Sequence, residues 1–120
     1  MRKSFMIALA LVITASAMAQ VRTPRPSPNA TLTQSVGLTD ITIKYSRPGV
    51  KGRTIWGGLV PYDAVWRTGA NEATTITFSD DVTVGGTKVP KGTYALFTVP
   101  GRDTWDVVLN KQGEQWGAFS

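Results

Sequence analysis

Short runs in which apolar and polar residues alternate, cut at close intervals by Gly, Pro, Asn or Asp, constrain this chain more than any other feature. Ile41, Ile43 and Tyr45 alternate with Thr42, Lys44 and Ser46, the two-residue period of a half-buried strand. Thr31 to Gly37 is a weaker run, expected to pair with it across Leu38-Thr39-Asp40. Ala73 to Ser79 sets Ile76 and Phe78 against Thr75, Thr77 and Ser79. Val82-Thr83-Val84 and Thr87-Lys88-Val89 flank Gly85-Gly86, a two-residue hairpin turn. Thr93 to Val99 carries aromatic and β-branched residues on both faces, as a central strand does, and Trp105 to Asn110 returns from the turn at Pro100-Gly101-Arg102-Asp103. No segment after the first residues shows a helical period. The class is therefore all-β, an antiparallel β-sandwich or a partly open barrel. Trp116 to Ser120 reads as the start of another strand, so the sheet is expected to be incomplete at the C-terminus.

The ends divide the chain. Arg2 and Lys3, the apolar run Phe5 to Ile13, and Ala17-Met18-Ala19 form a signal peptide over 1–19, cleaved after Ala19. The apolar run is too short to span a bilayer, so the mature chain is expected to have no transmembrane segment and to work in the periplasm or outside the cell. Residues 20–30 read as a linker, because Thr23-Pro24-Arg25-Pro26-Ser27-Pro28 favours extended polyproline conformation. Asn29-Ala30-Thr31 matches a glycosylation acceptor, a pattern short enough to recur by chance. Residues 31–120 then form one small domain.

Composition narrows the chemistry. The chain has no Cys, as befits an exported protein that holds itself together by burial rather than disulfides. Without Arg2 and Lys3, eleven of the thirteen Lys and Arg face eight Asp and Glu. That balance is ordinary, and the charges are scattered, which argues against nucleic acid as a partner. His is absent too. Ser-His-Asp and Cys-His catalysis are therefore excluded within these residues, and acid–base work would fall to Asp, Glu, Lys or Tyr. No spacing of ligands calls for a metal or a cofactor. Asp80 and Asp81 invite a calcium reading but lack the spaced oxygen donors of a recognised loop.

Between the second and third strands lies Ser46 to Glu72, an irregular block crowded with Trp, Arg, Gly and Pro. Its run Ser-Arg-Pro, Lys-Gly-Arg, Ile-Trp-Gly, Leu-Val-Pro-Tyr and Val-Trp-Arg-Thr-Gly-Ala-Asn-Glu-Ala-Thr, continued by Pro90 to Phe97, Pro100-Gly101, Trp105 and Asn110-Lys111, resembles the domain of unknown function 2911. That family is frequent in exported proteins of Bacteroidetes-type bacteria. The resemblance covers about Thr31 to Gly117 and implies a secreted, mainly β domain. It brings no established activity and no catalytic residues. Members usually continue beyond the point where this chain stops.

Long irregular segments in small domains tend to carry function. Arg67, Asn71 and Glu72 form the sharpest polar group. One reading is a ligand clamp, with Arg67 offering its planar fork to a carboxylate, phosphate or sugar hydroxyls. The other is an internal Arg67–Glu72 ion pair that pins the loop, with Gly69 and Asn71 in left-handed turn positions. Trp56 and Trp66 are either a platform for sugar rings or part of the core. Trp105, in a clean strand, is expected in the core. Arg47, Lys51 and Arg53 are either solvated loop charges or a dock for an acidic ligand such as lipopolysaccharide phosphates. Asp63 and Glu72 are candidates for an acid–base pair.

The favoured reading is an exported binding or accessory domain of the cell envelope. Arg53, Trp56, Trp66, Arg67, Asn71 and Glu72 would contact an envelope glycan, a lipid or an acidic small molecule. The alternatives are an envelope-polymer hydrolase using Asp63 or Glu72 with Arg67, and a structural or partner-docking module.

Overall fold

The computed structural model describes residues 21–117, so residues 1–20, with the signal peptide expected over 1–19, and the last three residues lie outside the described residues. Seven strands follow one another with no helix among them: β1 (Asn29–Val36), β2 (Thr39–Ser46), β3 (Thr75–Phe78), β4 (Val82–Val84), β5 (Thr87–Val89), β6 (Gly92–Pro100) and β7 (Trp105–Asn110). Each overlaps a run that alternation, turn chemistry or apolar residues on both faces marks as a strand. Five form one antiparallel sheet in the order β1-β2-β3-β6-β7, and β4 and β5 form a separate two-stranded hairpin. The larger sheet does not close, since β1 and β7 are its edges. The architecture is thus all-β and sandwich-like rather than a closed barrel. No helix among the described residues is long and apolar enough to cross a membrane.

The expected strand from Trp116 does not begin within the described residues. Trp116 and Gly117 lie in a bend, and residues 118–120 lie outside. The segment after β7 instead folds back on the body, where Gln115 O accepts a bond from the Ala73 amide at 2.9 Å.

Register assigns every side chain to a face, because residues directly opposite one another in adjacent strands point the same way. Leu32, Ile43, Ile76 and Tyr94 fall in one row, and Thr98 with Val107 and Pro100 with Trp105 extend the same face. Thr33, Thr42, Thr77 and Thr93 form a row on the opposite face. There the Thr33 and Thr42 hydroxyls lie 3.0 Å apart and those of Thr77 and Thr93 2.8 Å apart. One face is therefore mainly apolar, and the other is polar at its β1–β3 end.

Burial is concentrated around β6. Ala95 and Phe97 pack with Ala73 beneath the polar-side loops, and Phe78, Tyr94 and Val60 are buried on the apolar face. Phe78 and Tyr94 stack obliquely with centroids 6.2 Å apart, and Tyr94 Oη donates to Pro90 O at 2.6 Å, so its polar tip is satisfied. Away from β6 the cover thins: Leu32 on β1 and Val107 on β7 are exposed.

The irregular block completes the sheet where β3 stops. β3 pairs only with Gly92 to Ala95 of β6. Beyond that point Leu96 N donates to Thr74 O at 2.7 Å, Trp66 and Thr98 exchange both backbone bonds, and Asp63 N donates to Pro100 O at 2.8 Å. Residues 63–74 thus satisfy the open side of β6, which otherwise would leave buried backbone groups without partners. Pairing with Thr98 also fixes the face that Trp66 presents.

Candidate functional site

Three tryptophans from distant parts of the sequence meet at the loop end of the apolar face. Trp105 is placed by the turn into β7, Trp66 by its bridge to Thr98, and Trp56 by a tight turn. In that turn Leu59 N donates to Thr54 O at 3.0 Å and Gly57 N to Val60 O at 2.9 Å. Its shape requires glycine: a Cβ on Gly58 would stand 2.5 Å from Thr54 O, and Gly57 adopts φ +78° against the Tyr62 ring. The rings meet edge to face, with centroids 5.9 Å apart for Trp56–Trp66, 5.0 Å for Trp56–Trp105 and 6.4 Å for Trp66–Trp105. Trp105 is 45% exposed, so it is not the core residue its strand suggested. It sits on an edge strand with nothing across its outer side. Trp56 is 47% exposed, so much of its ring is open to solvent.

Beside this cluster is a cavity of about 480 Å³. Trp56, Trp66, Val60 and Ile55 line its apolar side; Lys51, Arg53 and Arg67 line its polar side, and no carboxylate does. Pro26 and Ser27 close one wall. The segment read as a linker is therefore pinned to the domain. Arg47 N donates to Pro28 O at 2.9 Å, Asn71 Nδ2 to Ser27 O at 3.3 Å, and Ser46 Oγ to Asn29 Oδ1 at 2.8 Å. Asn29 opens β1, not a free edge of the linker, and its side-chain oxygen is engaged by Ser46 and Arg25.

Arg53 and Arg67 face this cavity in different states. Arg53 braces its own loop, Nε donating to Val50 O at 3.1 Å and Nη2 to Gly49 O at 2.7 Å. Arg67 Nε is shielded from solvent and has no hydrogen-bond partner among the described residues. A buried donor left without an acceptor is costly, and in native proteins such groups call for an explanation.

The expected Arg67–Glu72 pair does not form. Glu72 is bonded by Arg25 Nη2, at 3.0 Å to Oε1 and 3.3 Å to Oε2, with both side chains near half exposure. The backbone amide of Glu72 and then the Arg25 guanidinium hold this carboxyl below the usual glutamate range. The separation has a backbone cause. Thr68 and Asn71 both take left-handed φ, 60° and 59°, so the chain turns twice between Arg67 and Glu72. Thr68, a β-branched residue that rarely adopts this conformation, is held by its contact with Thr98 Oγ1 at 3.0 Å and by Thr74 Oγ1 donating to its carbonyl at 2.9 Å. Gly69 is not the left-handed position; it is needed because a Cβ would meet Ser46 O at 3.0 Å.

The candidate residues therefore split. Arg53, Trp56, Trp66 and Arg67 share one cavity. Asn71 ties down the Pro-rich segment, and Glu72 borders a different groove on the Thr-lined face, with Lys44 and Glu114. Asp63 takes left-handed φ at 59°, anchors its backbone to Pro100 and lies beside Gly101. No acid–base pair is assembled next to Arg67. Asp80 and Asp81 brace turns: Asp80 Oδ2 accepts from Ser79 Oγ, and Asp81 Oδ1 accepts from the Lys91 amide. Residue spacing gave no sign of Arg25 as the partner of Glu72 or of Trp105 as the third ring. Both depend on contacts between distant segments.

The family model described as protein of unknown function (DUF2911) matches residues 27–120, which takes in all seven strands and every cavity residue but Pro26, and the chain belongs to that family. No curated protein and no solved structure matches the chain.

Proposed function

We propose that this member of the DUF2911 family is a binding or accessory module of the cell envelope or secretome whose ligand docks in the Trp-lined cavity. The observation that carries the reading is Arg67, a guanidinium with no hydrogen-bond partner among the described residues, lining one cavity with the half-exposed Trp56. A volume of about 480 Å³ lies within the range of small-ligand sites, which join apolar walls to a few placed polar groups. The leader over 1–19 supports work outside the cytoplasm, as does a chain free of Cys. An envelope-polymer hydrolase gains no support, since neither Asp63 nor Glu72 lines the cavity with Arg67 and Glu72 is bonded to Arg25.

The test is a titration followed by Trp emission, using soluble muropeptides, lipopolysaccharide and envelope glycan fragments as separate probes. At least one should shift the emission, and Trp56→Ala should abolish that response with the fold intact by circular dichroism. Binding that survives both Trp56→Ala and Arg67→Met would move the ligand elsewhere and end this reading. The exposed Val107 and Val108 on edge strand β7 favour a second reading, a docking module for another protein. In that case Val107→Lys would disrupt association measured by sedimentation and leave the Trp response untouched.

A further inference from the structure

Resting on that binding reading, we infer that the cavity takes a sugar ring bearing an anionic group, a carboxylate or a phosphate ester. Lys51, Arg53 and Arg67 line it without a single Asp or Glu, so its field favours negative charge. Among the described residues Arg53 already spends Nε and Nη2 on loop carbonyls, and Arg67 makes no hydrogen bond or ion pair through its side chain. Arg67 is therefore the free fork. Its Nε is shielded from solvent, so an incoming carboxylate or phosphate would be met by the two terminal amino groups, which are not buried and make no hydrogen bond among the described residues, in the paired geometry for which a guanidinium is suited.

The second half of the ligand is set by Trp56. Its ring is nearly half exposed, and edge-to-face contacts with Trp66 at 5.9 Å and Trp105 at 5.0 Å fix its position. The platform is built before any ligand arrives, which removes the cost of ordering it. A rigid, flat apolar face beside a cationic fork matches a pyranose, whose C–H face stacks while its charged substituent reaches the guanidinium. An inorganic anion would leave the Trp ring unused, and a neutral sugar would leave the Arg67 guanidinium without a counter-charge.

Isothermal titration of the purified chain with trigalacturonate, glucose 1-phosphate, galactotriose and inorganic phosphate separates these cases. One of the two charged sugars should bind at least ~10-fold tighter than galactotriose and than phosphate. The favoured one identifies the anion as carboxylate or phosphate ester. Trp56→Ala and Arg67→Met should each weaken that binding by ~10-fold or more, with Arg67→Lys recovering part of it. Affinity should also fall as salt is raised. Equal affinity for charged and neutral sugars would overturn the anionic requirement while leaving the binding module in place. Phosphate binding as tightly as the charged sugars, untouched by Trp56→Ala, would overturn the sugar. Failure of both charged sugars to bind would overturn the inference as a whole, and the envelope panel would then decide the broader reading on its own. Should Arg67→Met fail to fold, Arg67→Lys and Trp56→Ala still carry the test.

Discussion

Arg25 and Arg67 occupy opposite ends of the same block of contacts and are used in opposite ways. Arg25 lies on the surface, bonded to Glu72 and Asn29, in a seam that fastens the Pro-rich segment to the body. Arg67 lines the cavity with a shielded Nε that has no hydrogen-bond partner among the described residues. The exposed arginine has partners it scarcely needs, because water would serve almost as well. The shielded one lacks the partner whose absence is costly. A chain built only for stability would have reversed this, and that contrast locates the site at Arg67.

Four changes test the contrast, and the largest effect is expected at Thr74. Its buried hydroxyl holds the Thr68 carbonyl, one residue from Arg67. Thr74→Val should strand that acceptor and cost about 1–3 kcal/mol in chemical denaturation. If stability is unchanged, the left-handed turn at Thr68 does not depend on this brace. Trp105→Ala comes next. Losing two edge-to-face contacts, with Trp56 and Trp66, should cost about 1–2 kcal/mol and free Trp56, seen as a change in the near-ultraviolet circular dichroism. An unaltered spectrum would mean that Trp56 is positioned by its own turn alone.

Arg67→Met should be smaller in size and opposite in sign. Replacing an unpartnered donor by an apolar chain of similar length is expected to leave stability unchanged or raise it by up to ~1 kcal/mol, while ligand binding is lost. A marked loss of stability would make Arg67 a structural residue. The smallest effect belongs to Glu72→Gln. The pair is exposed, so the melting temperature should hold, while the Arg47 amide, bonded to Pro28 O, should exchange faster by nuclear magnetic resonance. The same seam predicts a pH response. The Glu72 carboxyl is lowered in the folded state, so its contribution is present above the ordinary glutamate value of about 4.3 and is lost as pH falls through the lower folded value. Glu72→Gln should remove that acid-side slope, and a slope that persists would belong to other carboxylates.

The strands were legible because their signal is local. Alternation over a few residues marks a half-buried strand wherever the partner lies, and Gly85-Gly86, with φ of 55° and 82°, marks its own turn. Four of the six candidate residues also come together: Arg53, Trp56, Trp66 and Arg67 share the cavity. Asn71 showed its left-handed turn in its identity. Glu72 did not show its partner, because Thr68 adopts a conformation that its β-branched side chain argues against, and the extra turn aims Glu72 at Arg25. The glycines at 58 and 69 were visible as glycines, but the backbone oxygens that exclude a Cβ there come from Thr54 and Ser46.

By itself the sequence determined an all-β chain, the places of its strands and hairpin, and the residue types available to a site. The two-residue period and turn chemistry are properties of neighbours along the chain, so no tertiary contact was needed to read them. Only the tertiary structure decided that the Pro-rich segment becomes a wall, that three tryptophans converge, and that the carboxylate near Arg67 in sequence serves Arg25 instead. Ion pairing and enclosure depend on distances between segments far apart in the chain, and alternation records which face a side chain takes without recording what stands opposite it.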